Sequence, residues 1–246
     1  MEEKMKVLSI GNSFSDDAQR YLREIAAKEG VEIETLNLCI GGCPLSLHAE
    51  NIKSGKRMYL FHYNGDVNRE DLITFDEGLL MCEWDVVTLQ QVSTESFKEE
   101  SYYPYIYEVV DYVRSKLPNA KIYLQMTWAY EHGCQRAFEV TGGNDSDYML
   151  AGIRRAYARA KREIDADGII PSAELMELLY QNGASKIYRD TFHASYGLGR
   201  YALGLLWFKM LTGRSALNNS FSELDEAVSD ADLEIARRCV ESLTLE

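Results

Sequence analysis

Lys6-Val7-Leu8-Ser9-Ile10 is a short apolar run that stops at Gly11, the pattern of a buried strand followed by a turn. From Asp16 to Lys28 the spacing changes. Ala18, Tyr21, Leu22, Ile25 and Ala26 recur at helical intervals, and Gly30 closes that helix. Val31 to Leu38 alternates as a strand until Gly41-Gly42 breaks it. Asp85 to Leu89 and Lys121 to Met126 read as two more strands, and Gly168-Ile169-Ile170 as a short fifth one. Helices are predicted over Tyr105 to Leu117, between Pro104 and Pro118, and over Tyr148 to Ile164. Glu174 to Tyr180, Gly197 to Leu211 and Asp230 to Leu243 follow as helices, the last capped by Ser229.

This order, β-α-β and then repeated alternation, predicts a five-stranded, mainly parallel sheet with helices on both faces. Two stretches fall outside the alternation. Residues 50–80 carry a possible hairpin, Met58 to Tyr63 followed by Asn64-Gly65, and residues 129–147 contain Gly142-Gly143-Asn144-Asp145. Both read as loop insertions, and with no repeat or linker-like tract the whole chain, 1–246, is expected to be one domain.

Composition narrows the function. The 246 residues hold 46% hydrophobic side chains, enough for a sizeable core, and carry a net charge of −13. That acidity argues against nucleic acid and against an anionic membrane surface as partners, since both need clustered Lys and Arg. The longest apolar segment, Tyr201 to Leu211, is too short for a membrane span and contains Lys209. If the charged start Met1-Glu2-Glu3-Lys4 is the true one, the expected location is the cytoplasm; a trimmed leader would make it periplasmic or secreted. The five cysteines are odd in number and lack the paired spacing of a zinc site, so no metal and no disulfide framework is expected.

In parallel sheets ligands bind beyond the carboxyl ends of the strands. There the sequence offers Ser13 after the first strand, Gly41-Gly42 after the second, Gln90-Gln91 after the third, Thr127-Trp128 after the fourth, and Asp190-x-x-His193 before the last large helix. Ser13 at a helix start suits a nucleophile whose own N–H faces an oxyanion, although Ser13-x-x-Asp16 taken alone is a helix-capping pattern. Asp190 three residues before His193 can hold the imidazole in one tautomer, although that short motif is common. Gly42 can aim an N–H at an oxyanion or merely permit a turn. Gln91 can donate its side-chain amide to the same oxygen. Gln90 competes for that role, because successive strand residues face opposite ways.

Together these pieces resemble the SGNH/GDSL hydrolase superfamily. Gly11-Asn12-Ser13-Phe14-Ser15 is similar to its first block, G-D-S-L-S; Asn37 to Gly42 resembles the second, and Asp190-x-x-His193 the fifth. Within the superfamily the resemblance is closest to the bacterial DUF4886 proteins, with which the chain shares GNSFS, a GGC-type second block followed by His48, Trp84 to Gln91, and Phe192 to Tyr201. It spans roughly residues 5–213. One departure stands out: the superfamily's third block, G-x-N-D, supplies an oxyanion Asn, and here the strand ends Leu89-Gln90-Gln91.

The resemblance implies a three-layer α/β/α sandwich of the SGNH-hydrolase, flavodoxin-like type and ester hydrolysis without a cofactor. Ser13 would be the nucleophile, His193 the base and Asp190 its orienting acid. Ser13 and Gly42 amides with Gln91 would form the oxyanion hole. By family association the substrate is a small-molecule or glycan acyl ester, with deacetylation of a carbohydrate preferred. Trp128, Tyr130 and Tyr63 can stack on sugar rings or simply pack, and His48 can line the pocket or bond to backbone. Two rivals remain: a phosphate binder, disfavoured by the lack of a glycine-rich phosphate motif, and a weak or inactive SGNH-like protein that binds a glycan.

Overall fold

A computed structural model describes residues 3–245, with side chains described throughout except at 3 and 66–71. All five predicted parallel strands form: β1 (Glu3–Gly11), β2 (Val31–Cys39), β5 (Val86–Leu89), β6 (Lys121–Gln125) and β7 (Gly168–Ile170). The 50–80 stretch adds two more, β3 (Tyr59–Tyr63) and β4 (Asp66–Ile73), so the described sheet has seven strands rather than five. Its order is β4-β3-β2-β1-β5-β6-β7. The central β2-β1-β5-β6-β7 portion is parallel, and the hairpin extends it antiparallel along β2. A sequence reading treats the hairpin as a loop excursion because its strands carry polar residues; it is an edge element, where one side of the ladder meets solvent.

Helices cover both faces, in agreement with a three-layer α/β/α sandwich. One layer holds α1 (Ser13–Gln19), α2 (Leu22–Lys28), α8 (Ser172–Gln181), α9 (Leu198–Thr212) and α10 (Asp230–Ser242). The other holds α3 (Leu45–Ser54), α4 (Phe75–Leu79), α5 (Tyr105–Lys116), α6 (Gln135–Thr141) and α7 (Ser146–Ile164). The helix α9 is apolar nearly all round because it lies between β7 and its neighbours α1, α2, α8 and α10, so most of its faces meet protein. Ser229 caps α10 as expected, accepting from the Asp232 amide at 3.1 Å.

The single helix expected over 16–28 is two, broken at Arg20–Tyr21. The break seats the Tyr21 ring in the core, where its hydroxyl donates to the Tyr196 carbonyl and accepts from the Asp225 amide. Ser13 is not the cap of α1. Asn12 is, with its side chain accepting from the Phe14 amide at 3.1 Å. The hydroxyl of Ser13 is thereby released from capping.

Candidate active site

The strand β1 ends in Gly11, and the position demands glycine. A Cβ there would lie 2.5 Å from the Ser15 hydroxyl and 3.1 Å from the Gln90 amide nitrogen. Asn12 then knots the turn: it accepts from the Gln90 side chain at 2.6 Å and donates to the Cys43 carbonyl at 3.2 Å. That fastens the first turn to the Gly41-Gly42 turn and leaves Ser13 at the mouth, half-buried.

Ser13 Oγ lies 2.8 Å from His193 Nε2, and His193 Nδ1 lies 2.7 Å from Asp190 Oδ2. A carboxylate only accepts, so Nδ1 carries the proton and Nε2 accepts from the serine. Burial pushes the Asp190 carboxyl up, but hydrogen bonds from the His193 ring and amide, the attraction of His193 and the Phe192 amide hold it below the ordinary aspartate value. The turn between the two is tight, with Thr191 at φ 73°.

Residues far away in sequence brace this turn. The Thr191 carbonyl accepts from the Glu131 amide at 2.8 Å, and the Phe192 carbonyl from Trp128 Nε1 at 2.7 Å. Beneath them, buried Asp17 accepts from Arg189 and Arg200, both at 2.8 Å, and from the Ala194 amide at 3.1 Å. Asp17 thus grips both ends of the segment that carries Asp190 and His193. It reads in sequence as an ordinary helix-surface acid, because its partners stand 172 and 183 residues away.

A cavity of about 420 Å³ opens beside Ser13 and His193. Phe14, Val92, Tyr130 and Phe192 give it apolar walls; Gly41, Gly42, Ser93, Thr94 and Arg136 complete it. Neither the Ser13 nor the Gly42 amide has a hydrogen-bond partner among the described residues, and Gly42 takes φ 64°, a backbone conformation that suits glycine. A larger cavity of about 550 Å³, lined by Lys4, Asp85 and Lys121 among others, sits at the amino ends of the strands and contains no nucleophile–base pair.

Three expected contributors lie elsewhere. Gln91 is buried outside the cavity. Its carbonyl accepts from the Leu45 and Val92 amides at 3.0 and 2.9 Å, and its amide donates to the Ser101 carbonyl at 2.9 Å. Those bonds occupy the donor that an oxyanion would need. The same loop instead turns Ser93 and Thr94 toward the cavity. Trp128 is wholly buried, stacked on Phe14 with centroids 4.1 Å apart; it supports the Phe192–His193 turn from beneath the cavity lining. His48 is also wholly buried, bonded to the Tyr59 hydroxyl at 3.0 Å, and burial lowers its pKa to about 3, so it stays neutral. Of the aromatic candidates, Tyr130 lines the cavity.

Asp16, Cys39 and His62 bring potential metal-ligand atoms within 4.8 Å of one another. The His62 ring already bonds Asp16 at 2.6 Å, and burial, with Asp16 adding to it, pushes the Cys39 thiol far above its ordinary value. Burial likewise pushes the Cys43 thiol up to about 12. Among the described residues, no helix is long and apolar enough to cross a membrane.

Comparison with solved structures places this architecture among the SGNH/GDSL hydrolase folds. A DUF4886 family protein from Bacteroides uniformis is similar over 97% of this chain and 94% of its own, with 28% identity and a TM-score of 0.90. A protein from Slackia heliotrinireducens, described as a candidate SGNH hydrolase, matches over 84% of this chain and 98% of its own at 20% identity and a TM-score of 0.61. A variant of Axe2, an acetyl xylan esterase from Geobacillus stearothermophilus, matches over 91% and 100% at 14% identity and a TM-score of 0.51. The last two likenesses concern the fold. No curated protein matches the chain. The model of DUF4886, a domain of unknown function, matches residues 6–242, and the chain belongs to that family.

Proposed function

We propose that the protein is a serine esterase that removes a small acyl group, acetyl by preference, from a carbohydrate ester. The observation that carries this reading is the continuous hydrogen-bonded series from Ser13 through His193 to Asp190 at the mouth of a cavity. Ser13 Oγ attacks the acyl carbon as its proton passes to His193 Nε2, and Asp190 stabilises the imidazolium. The free amides of Ser13 and Gly42 receive the oxyanion. His193 then protonates the leaving alcohol. Water attacks the acyl-enzyme, gives a proton to His193, and releases the acid as Ser13 regains its hydrogen. No cofactor enters the scheme. The carbohydrate part of the proposal leans on the acetyl xylan esterase among the fold neighbours and on a cavity walled by aromatic rings.

The test is release of p-nitrophenol from its acetate by the wild type and by Ser13→Ala, with circular dichroism on both. Loss of turnover with an unchanged spectrum is the expected result; wild-type rates in Ser13→Ala would remove the serine from the mechanism. A weak or inactive glycan-binding protein is the second reading, favoured by the engagement of Gln91 away from the cavity. Glycan binding without turnover or covalent labelling of Ser13 would favour it.

A further inference from the structure

We propose that Arg136 is the anion-recognising side chain of this cavity, so that the preferred ester carries a carboxylate near its scissile bond. This rests on the hydrolase reading above and adds the class of substrate to it.

Arg136 belongs to α6, within the 129–147 insertion, and lines the same cavity as Ser13 and His193. Its guanidinium lies 3.8 Å from the centroid of the Phe192 ring and 5.7 Å from that of Tyr130. The Phe192 ring in turn lies 3.9 Å from the His193 ring. A positive charge is therefore held on aromatic faces one ring away from the base. Several other arginines among the described residues are paired: Arg20 with Asp225, Arg189 and Arg200 with Asp17, Arg238 with Glu234. Arg136 forms no ion pair or hydrogen bond among the described residues. Carboxylates are not scarce, since 39 acidic side chains face 26 basic ones.

Resting over the Phe192 ring leaves the guanidinium N–H groups without a protein partner among the described residues, and such a fork can grip a carboxylate in two parallel hydrogen bonds. Arg136 is exposed at the rim beside the apolar walls of Phe14, Val92, Tyr130 and Phe192, so its attraction for an anion is open to screening by salt. Acids stand near in sequence, but Asp190 is committed to His193, Glu139 accepts from Gln135, and no carboxylate among the described residues lines the cavity. Besides His193, the polar side chains Asn12, Ser13, Ser93 and Thr94 of the lining carry no charge. An acidic molecule repels anions at a distance, so selection for one must come from a local cation, and Arg136 is the arginine that the cavity provides. The carboxylate can sit in the acyl half of the ester or in the alcohol half, and the experiment separates the two.

The test compares intact wild type with Arg136→Gln on matched esters. For the acyl half the pair is p-nitrophenyl hemisuccinate and p-nitrophenyl butyrate; for the alcohol half it is meta-acetoxybenzoate and meta-acetoxybenzamide. The expected result is a loss of about tenfold or more in kcat/KM on one of the two anionic esters, with its neutral partner within about twofold. Arg136→Lys should recover part of the loss, and added salt should weaken the wild-type preference. Equal losses on all four esters would mean that Arg136 only props up Phe192, and no loss on any would also overturn the proposal. If the wild type turns over none of the four, the hydrolase reading fails on these esters and binding decides the arginine. Calorimetric titration with succinate and meta-hydroxybenzoate should then give weaker binding to Arg136→Gln, and equal binding would refute the anion site.

Discussion

Replacing Asp17 with alanine would strip the segment that carries His193 of its main anchor. The carboxylate is almost wholly buried and accepts from two guanidiniums and one backbone amide. Its removal strands Arg189 and Arg200, both mostly buried, without a counter-charge between them; Arg200 keeps only a 3.6 Å contact to Asp225. Breaking a buried ion pair from one side typically costs about 3–5 kcal/mol. For a chain of this size each kcal/mol moves the midpoint by about 2–4 °C, so Asp17→Ala should melt roughly 6–20 °C lower. Asp17→Asn keeps an acceptor for one arginine and should lose less. A second effect concerns geometry. The Ala194 amide, next to His193, loses its acceptor, and a shift of about 1 Å at a reacting group can cost about a hundredfold in rate. Guanidinium denaturation followed by circular dichroism reads the first effect. Ester turnover per folded molecule, at a temperature where both proteins are native, reads the second. An unfolding free energy within about 0.5 kcal/mol of wild type, with full turnover, would show that Asp17 anchors nothing.

Gln91→Ala should lower stability, because the Leu45 and Val92 amides lose a buried acceptor, yet keep turnover per folded molecule within a few-fold; a drop of about 10²–10³ in kcat would restore Gln91 to the oxyanion hole. Gly11→Ala should cost about 1–3 kcal/mol in denaturant unfolding, since its Cβ meets two hydrogen-bonded side chains, and an unchanged midpoint would contradict the close approach. The contacts that hold the Asp190 carboxyl below its ordinary value stabilise the fold above the usual aspartate range, and that contribution is lost as pH falls through the lowered folded value. Wild type should therefore be more stable than Asp190→Asn at neutral pH, and the gap should close below about pH 4; a gap independent of pH would contradict the assignment. Trp128→Phe keeps the stack on Phe14 but leaves the Phe192 carbonyl unpaired, so it should lose about 1–3 kcal/mol and part of the turnover, both read in the same unfolding and ester assays.

The parallel strands were legible because each is a short apolar run cut off by glycine or a polar cluster; the Ser13 block fell at a strand end, where ligands gather, and the Asp190–His193 block just before the last large helix. What escaped depends on facing and on distance. Gln90 and Gln91 are adjacent, so they point to opposite sides; a one-residue ambiguity decides which tethers Asn12 and which fastens the Leu45 turn. Trp128 and His48 follow strands or glycines in the manner of rim residues, yet both lie beneath the rim, which no periodicity reveals. The hairpin at 59–73 was visible as a turn but not as a sheet edge, because edge pairing with β2 joins residues whose pattern is only half apolar. Asp17 and Arg136 carried no motif at all. Their meaning comes from partners brought in by the fold: Arg189 and Arg200 for the one, Phe192 for the other.

The most direct test of the central claim is labelling of the intact protein with a fluorophosphonate, followed by peptide mass spectrometry on wild type, Ser13→Ala and His193→Ala. The account predicts one stoichiometric adduct on Ser13 in the wild type, none in Ser13→Ala, and labelling slowed by at least about a hundredfold in His193→Ala. A folded wild-type protein that takes up no label, or takes it at another serine, would contradict the assignment of Ser13 as an activated nucleophile.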